Sequence, residues 1–334
     1  MSILIETAPA KLNLLLSVSR ELQAGKHLLR SVFLTVNLAD TLRFAYEACA
    51  AHGVHIEMRT GDESCESTSS APSHEAIPLE DNIIYQSICM FEEIIGRRLE
   101  GALSVEVIKR IPARGGLGGG SSDAAATLRA LCRLTGVDPA SKATHAAAQR
   151  LGADVPFLLT GGCALMGGVG EKLERRLPEP QLDFVLAKPA AGISTRDAYA
   201  AFDADPQPEL SPAQLIKALT GQGAPAPLSE VAFAPTSLAP SASEGRSATI
   251  ARACANNLTV AAQTLLPELV LLRERIQACP GVLNAVLTGS GSVIFGICES
   301  RQAATEAAAC LKEQGYWAAI CACGLAPEGR PSDV

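Results

Sequence analysis

Aromatic side chains make up only 4% of this 334-residue chain, with a single tryptophan, and no long run of lysine or arginine occurs. Nucleic-acid binders need a basic face and rings on which bases can stack, so that class is excluded. Acidic groups outnumber basic ones by 35 to 28, a net charge of −7. Histidine is also scarce: His52, His55, His74 and His145 show no metal-ligand spacing, and only His27, which follows the first strand, merits a site role. The eleven cysteines include no C-x-x-C pair. Cys321 and Cys323 alternate in a strand with no histidine nearby to complete a metal set, so buried free thiols in a reducing cytosol are expected. The most apolar stretch, residues 155–169, is short, broken by glycines and flanked by Asp154 and Glu171. It does not span a bilayer. Glu6 and Lys11 near the start, without a long apolar core, do not read as a signal peptide. A cytoplasmic protein with no membrane and no nucleic-acid partner is expected.

Hydrophobic residues reach 48%, ample for a core, and the length favours two domains. Residues 12–18 read as an apolar strand, and 31–44 as two strands about a turn at 37–40. Residues 55–59 alternate, and 63–78, rich in Ser, Glu, His and Pro, read as a solvated loop. Asp81 and Asn82 offer an N-cap for a helix to about Ile95, with Ile84, Ile88, Phe91 and Ile95 on one face. A strand over 103–111 leads into a glycine cluster, followed by a helix ending near Gly136 and another ending at Leu151. A strand over 183–188 and a helix over 195–202 come next. Pro, Ala, Ser and Gly dominate 221–247, which reads as a flexible linker. Beyond it lie a helix from 247 or 248, a strand–turn–strand over 286–297, a helix over 301–314 and a strand over 317–323. Strands and helices mix without strict alternation, so the class is α+β.

Five of the eight residues from 115 to 122 are glycine, and Ser121, Ser122 and Asp123 precede an alanine-rich helix. Lacking Cβ atoms, glycines let several amides face one point, and a helix start adds its unpaired N–H groups and positive dipole end. That makes a phosphate cradle. It is no Walker loop, since Ser121 follows Gly120 where lysine should stand. The dinucleotide pattern fails too, because Ser121 or Asp123 occupies its last glycine position.

Polar groups interrupt apolar surroundings at three places. Lys11 and Asn13 stand two apart on one strand face; Lys11 is either an edge-strand charge facing water or a paired, functional ammonium. Asp154, between a helix end and an apolar run, is either a helix-linking cap or the partner of Lys11. Paired, the aspartate accepts a hydroxyl proton while the ammonium stabilises the emerging alkoxide. Ser121 or Ser122 is positioned to lend an oxygen to Mg²⁺ bridging phosphates.

These residues resemble the GHMP kinases. Three motifs in order carry the likeness: residues 9–14 (Pro-Ala-Lys-Leu-Asn-Leu), 112–126, and 288–292 (Thr-Gly-Ser-Gly-Ser). The segments 152–157, 161–162, 168–171, 188–189 and 192–195 point to one branch of that family. The resemblance covers almost the whole chain except 63–78 and 221–247. It implies an N-terminal domain (1–170) like ribosomal protein S5 domain 2 and a ferredoxin-like C-terminal domain (171–334), with the site in the cleft between them. It implies transfer of the ATP γ-phosphate, with Mg²⁺, to the 2-hydroxyl of a cytidine-diphosphate-linked methylerythritol on the non-mevalonate isoprenoid route, by a monomer or homodimer.

By the same resemblance Asp154 is the base, Lys11 its partner, and Asn13 a substrate contact. Pro112, Gly116, Leu117, Gly118, Gly119, Gly120, Ser121 and Ser122 hold ATP, Ser122 also ligating the metal. Asn82 and Lys109 match positions near the adenine. His27 matches a reader of cytosine, Tyr199 an aromatic stacked on it, and Thr195 lies beside them. One departure stands out: Lys26 occupies the position where the family usually has tyrosine, so one stacking ring is missing and a cation–π contact replaces it in part. Other readings are a homoserine- or mevalonate-type kinase of this family, and a non-catalytic nucleotide-binding relative.

Overall fold

The computed structural model describes residues 2–48, 51–61, 78–221 and 245–324. The loop expected at 63–78, but for its last residue, and nearly all of the linker expected at 221–247 lie outside the described residues. Two 22-residue strands open the chain, β1 (Ser2–Gln23) and β2 (Lys26–Glu47), antiparallel and joined at Ala24-Gly25. There follow β3 (Gly53–Thr60), α1 (Ile83–Ile95), β4 (Ala102–Lys109), α2 (Gly119–Thr135), α3 (Lys142–Leu151), α4 (Val155–Thr160), β5 (Cys163–Gly167) and β6 (Lys172–Leu177). The second half runs β7 (Asp183–Lys188), α5 (Thr195–Ala204), α6 (Ala213–Thr220), α7 (Arg246–Ala253), β8 (Ala255–Asn256), α8 (Thr259–Leu265), α9 (Glu268–Ala278), β9 (Val282–Leu287), β10 (Ile294–Cys298), α10 (Arg301–Glu313) and β11 (Trp317–Ala322).

These strands form two sheets. The larger has the order β3-β4-β2-β1-β8, with the β5–β6 hairpin bonded to the first half of β2; the smaller has the order β11-β7-β10-β9. The α+β class is as expected, and the large sheet runs past residue 170 to Leu177 and takes in β8. Helices α1, α2 and α4 cover one face of the large sheet through Phe44, Phe91, Leu128 and Phe157. Its other face meets the small sheet, where Leu12, Leu14, Val32 and Leu34 lie against Phe184, Leu186 and Phe295. The period of two in β7 explains this sharing: Phe184 and Leu186 enter the common core, while Val185 and Ala187 face α9 and α10. Lys11 and Asn13 therefore lie on a strand buried from both sides.

One expected boundary is wrong. Residues 37–40 make no turn; β2 runs straight through. Pro9 pairs with Ala39 but Lys11 pairs with Thr35, so β2 bulges by extra residues there. The polar side chains that suggested a turn have other uses. Asn37 Oδ1 accepts the Ala322 N–H at 2.9 Å, and Asp40 is fully buried against the end of β4. Two local expectations held: Asn82 caps α1 by accepting the Ile84 N–H at 2.9 Å, and Gly136 ends α2 in the left-handed region at φ 75°. The stretch 155–169 contains α4 and β5, and among the described residues no helix is long and apolar enough to cross a membrane. Nine cysteines among the described residues are free, and burial pushes the Cys163 thiol up to about 12.

A half-buried arginine joins β1, α2 and α4. Arg129 of α2 donates to Glu6 at 3.0 Å, to the Thr7 carbonyl at 2.7 Å and to the Leu158 carbonyl at 2.9 Å, tying β1, α2 and α4 together. Glu6 is 4% exposed and also meets Arg133 at 3.0 Å. Breaking a buried ion pair from one side costs about 3–5 kcal/mol. With Arg133 still in place, Arg129→Ala is expected to cost about 3 kcal/mol of stability in urea unfolding, at the low end of that range, and to lower activity by loosening α4. Arg129→Lys keeps the charge but not the three-way tie.

Candidate active site

Strand β1 brings Lys11 into the interior, 4% exposed, with its N–H donated to the Leu117 carbonyl at 2.9 Å. Its ammonium donates to Asn13 Oδ1 at 2.7 Å, lies 3.6 Å from Asp154 Oδ2 and stands 5.0 Å from the centre of the Phe33 ring. An edge-strand charge is thereby ruled out. Asp154 does occupy the N-cap position of α4, yet its side chain makes no capping bond. Its carboxylate is 27% exposed and faces the lysine. Asn13 is fixed on every side: its N–H reaches Thr288 Oγ1 at 3.1 Å, its amide donates to Ser31 at 2.9 Å, and Thr288 donates back to it at 3.3 Å.

The glycine loop lies directly on this pair. Gly118, the N-cap of α2, adopts φ 73°, which disfavours a side chain, and a Cβ there would press on Lys11 Cγ at 3.1 Å and touch Asp154 Oδ2 at 3.6 Å. Gly116, at φ 75°, backs onto the second glycine loop, where a Cβ would come within 2.3 Å of the Thr288 carbonyl oxygen. Ser292 and Val293 donate to the Arg114 and Gly115 carbonyls at 3.3 and 3.2 Å, completing the clamp. Leu117 is buried in the common core, Pro112 is half-buried, and Gly120 lies open. No side chain caps α2 and no acid sits in its first turn. Its leading amides are left for an anion.

Two expectations are corrected here. Ser122 does not face the cleft: it is fully buried and donates to the Pro9 carbonyl at 2.7 Å. Ser121 is the half-buried serine, with its hydroxyl beside Gly152. Lys109 does not reach out toward an adenine either. Its ammonium is held between Asp40 and Asp123, the latter at 2.6 Å, beneath Gly119. Asp40 also accepts the Arg110 and Ile111 N–H groups, fixing the exit from β4 into the loop. Sequence reasoning missed both carboxylates, although Asp123 stood in plain view as a charge on the buried side of an alanine-rich helix. Burial pushes the Asp123 carboxyl up to about 7, against the pull of Lys109 and with the neighbouring Asp40 adding to the rise. Burial alone would lower Lys109, but Asp123 and Asp40 together hold it above its ordinary value. Asn82 is occupied with capping α1.

On the far side of Asp154, Tyr199 of α5 lies with its ring 5.4 Å from that of His27, and burial together with the Asp154 charge pushes its hydroxyl up to about 12. His27 Nδ1 bonds the Ser19 carbonyl at 2.8 Å. Lys26 is exposed at the β1–β2 hairpin end, and Thr195, exposed, meets Ser290 Oγ at 3.2 Å. Lys11, Asn13 and Asp154 thus meet beside the glycine loop, and His27 and Tyr199 pair at the hairpin end.

An anion cradle at a helix start, a lysine–aspartate pair beside it and two glycine loops locked together define a small-molecule kinase of the GHMP class, and comparison with known proteins agrees. The model of the GHMP kinases N terminal domain matches residues 82–162, and that of the GHMP kinases C terminal matches 238–316. The chain is 32% identical over 305 residues to 4-diphosphocytidyl-2-C-methyl-D-erythritol kinase of Pelotomaculum thermopropionicum, covering 90% of this chain and 91% of that one. It is 33% identical over 308 residues to the kinase of the same name from Heliobacterium modesticaldum, covering 92% and 90%. A crystal structure of 4-(cytidine 5'-diphospho)-2C-methyl-D-erythritol kinase superposes with a TM-score of 0.68 at 32% identity, over 96% of this chain and all of that one. Homoserine kinase from Cytophaga hutchinsonii, at 20% identity, shares the fold with a TM-score of 0.67 over 97% of this chain and 95% of its own. The chain belongs to the GHMP kinase family.

The Asp40–Lys109–Asp123 cluster carries one charge too many, and this has a measurable sign. A carboxyl whose ordinary value is 3.8 and whose folded value is about 7 favours folding while protonated. That contribution is complete below about pH 4 and is lost as pH rises through about 7. Asp123→Asn removes this fall, so the melting temperature of the variant relative to wild type is expected to rise between pH 4 and pH 7 and then level off.

Proposed function

We propose that this chain transfers the γ-phosphate of ATP to the 2-hydroxyl of 4-diphosphocytidyl-2-C-methyl-D-erythritol, the compound in the name of its relatives. The supporting observation is that Lys11 and Asp154 meet at Gly118, immediately before the uncapped amides of α2. A proton acceptor and an anion cradle therefore share one place. ATP brings the phosphoryl group, and Mg²⁺ bound with it spreads the negative charge of its phosphates. Asp154 accepts the hydroxyl proton, and Lys11 offsets the charge left on the oxygen. Asn13 holds the lysine on one side and is itself immobilised by Ser31 and Thr288.

Gly116, Gly118, Gly119 and Gly120 present amides to the phosphates, with Pro112 and Leu117 fixing the ends of the loop. Among the described residues no cluster of three or more His, Cys, Asp or Glu stands ready for a metal. That suits Mg²⁺, which usually takes most of its ligands from phosphate and water. Ser121 supplies a hydroxyl there more readily than Ser122, whose bond to Pro9 would have to break. At the other end His27 and Tyr199 receive the cytosine, with Thr195 beside them and Lys26 over the open face. A homoserine- or mevalonate-type substrate leaves His27 and Tyr199 without a role.

Asp154→Asn is expected to lower kcat by about 10²–10⁴-fold, the usual worth of a general base, with ATP affinity little changed. The assay follows ATP consumption with the cytidyl substrate, homoserine and mevalonate in parallel. Turnover confined to the first supports the reading. Near-normal turnover by the variant removes Asp154 from the mechanism, and turnover of another alcohol instead changes the substrate.

A further inference from the structure

Two cations beside the glycine loops have no carboxylate to answer them. Arg114, between Pro112 and Gly116, is exposed, whereas Lys188, at the end of β7, is 9% exposed. Among the described residues neither makes an ion pair, and Lys188 Nζ has one carbonyl contact, with Ala190 at 3.4 Å. Burial holds the Lys188 ammonium below its ordinary value, and no acid opposes that fall. Lys11 and Lys109, by contrast, each face at least one carboxylate. In a chain of net charge −7, two unanswered cations at one place stand out.

One loop, residues 188–192, gathers them. The stem of Arg114 lies over Gly192, where a Cβ would come within 2.7 Å of Arg114 Cβ and 3.4 Å of its Cδ. Ala187 pairs with Ile294, so Lys188 ends β7 next to Val293, whose N–H is donated to the Gly115 carbonyl at 3.2 Å. Ala190, Ala191 and Gly192 are exposed, which leaves the place open to a ligand. Arg114 also holds φ 52°, in the left-handed region that penalises a Cβ and suits glycine. Among the described residues the other non-glycine at positive φ is Ala24, in a two-residue hairpin turn that requires it. Glycine at 114 would relieve the backbone and the crowding at Gly192. What glycine would not supply is the guanidinium.

Resting on the kinase reading above, we propose that Arg114 is a phosphate-binding residue, its guanidinium donating to phosphoryl oxygens beside the glycine loop while Lys188 adds to the same positive field. A planar guanidinium meets two oxygens of one phosphate with parallel N–H donors, which backbone amides do not. ATP and the diphosphate of the cytidyl substrate both carry that group.

The test compares wild type with Arg114→Gly, Arg114→Lys and Lys188→Met by calorimetric titration with ATP and, separately, with the cytidyl substrate, alongside thermal melting. Arg114→Gly is expected to weaken one ligand by about 10-fold, the contribution of one charge-assisted contact. It should melt no lower than wild type, because glycine suits the backbone at 114. Arg114→Lys recovers part of that affinity. Lys188→Met weakens the same ligand to a lesser degree and melts no lower, since it leaves no acid unpaired. A loss confined to ATP assigns the nucleotide phosphates, and a loss confined to the cytidyl substrate assigns its diphosphate. Unchanged affinity for both in Arg114→Gly overturns the proposal. So does a lowered melting temperature with both ligands weakened alike, the mark of a misshapen loop. If wild type binds no cytidyl substrate while ATP affinity still depends on Arg114, the substrate reading falls and the assignment of Arg114 stands.

Discussion

The site is organised by the burial of one ammonium group. Lys11 is removed from water by its position in the middle of a strand that is covered on both faces, and a charge so placed must be partnered or it costs several kcal/mol. The chain supplies the partners from distant segments. Asn13 lies on the same strand, Asp154 comes from the start of α4, and the lysine's own N–H is taken by Leu117 of the glycine loop. Satisfying one buried cation therefore brings a carboxylate, the glycine loop and the strand of Asn13 to one point. Gly118 is part of the same solution, because the stem of Lys11 fills the space a side chain would need.

The second glycine loop turns this meeting point into a rigid one. Thr288 bonds Asn13 through both backbone and side chain, while Ser292 and Val293 bond the carbonyls of the first loop. Asn256 donates to the Leu287 and Gly289 carbonyls at 2.9 and 2.8 Å and holds the second loop in turn. Amides aimed in advance at a developing charge need no reorganisation when it appears, the condition under which such donors contribute most to catalysis. Here the preorganisation is spread over both sheets, since Thr288 follows β9 of the small sheet and Asn13 lies in β1 of the large one. That is why the shared core between the sheets matters to chemistry as well as to stability.

Local signals were read well wherever they were sufficient. Asn82 as a helix cap, Gly136 as a helix stop and the buried strand of β7 each depend on neighbours within a few residues. The turn placed at 37–40 failed because its polar residues answer to remote partners: Asn37 to Ala322, and Asp40 to the end of β4. Lys109 and Ser122 were misplaced for a related reason. Each carries the right chemistry at a plausible spacing, but which way the side chain turns depends on a carboxylate or carbonyl from another element. His27 and Tyr199 were expected only through the family likeness, because the 5.4 Å approach of their rings joins a hairpin to a helix far along the chain.

The two lysines beside the start of α2 sit in carboxylate assemblies of opposite character. They flank successive glycines: the Lys11 side chain lies beside Gly118, and the Lys109 ammonium beside Gly119. Both are buried and both meet carboxylates. Lys109, however, is saturated by two acids that are themselves sealed from solvent, with exposures of 0% for Asp40 and 3% for Asp123, so no proton from a substrate can reach them. Among the described residues Lys11 has a single acid partner, at 3.6 Å, longer than a tight ion pair, and that acid keeps 27% of its side-chain surface open. A general base must be reachable and not already saturated with donors. Of the two lysine–carboxylate assemblies touching the glycine loop, only the looser one meets that condition. The tighter one is suited to holding the loop in the shape that the chemistry requires.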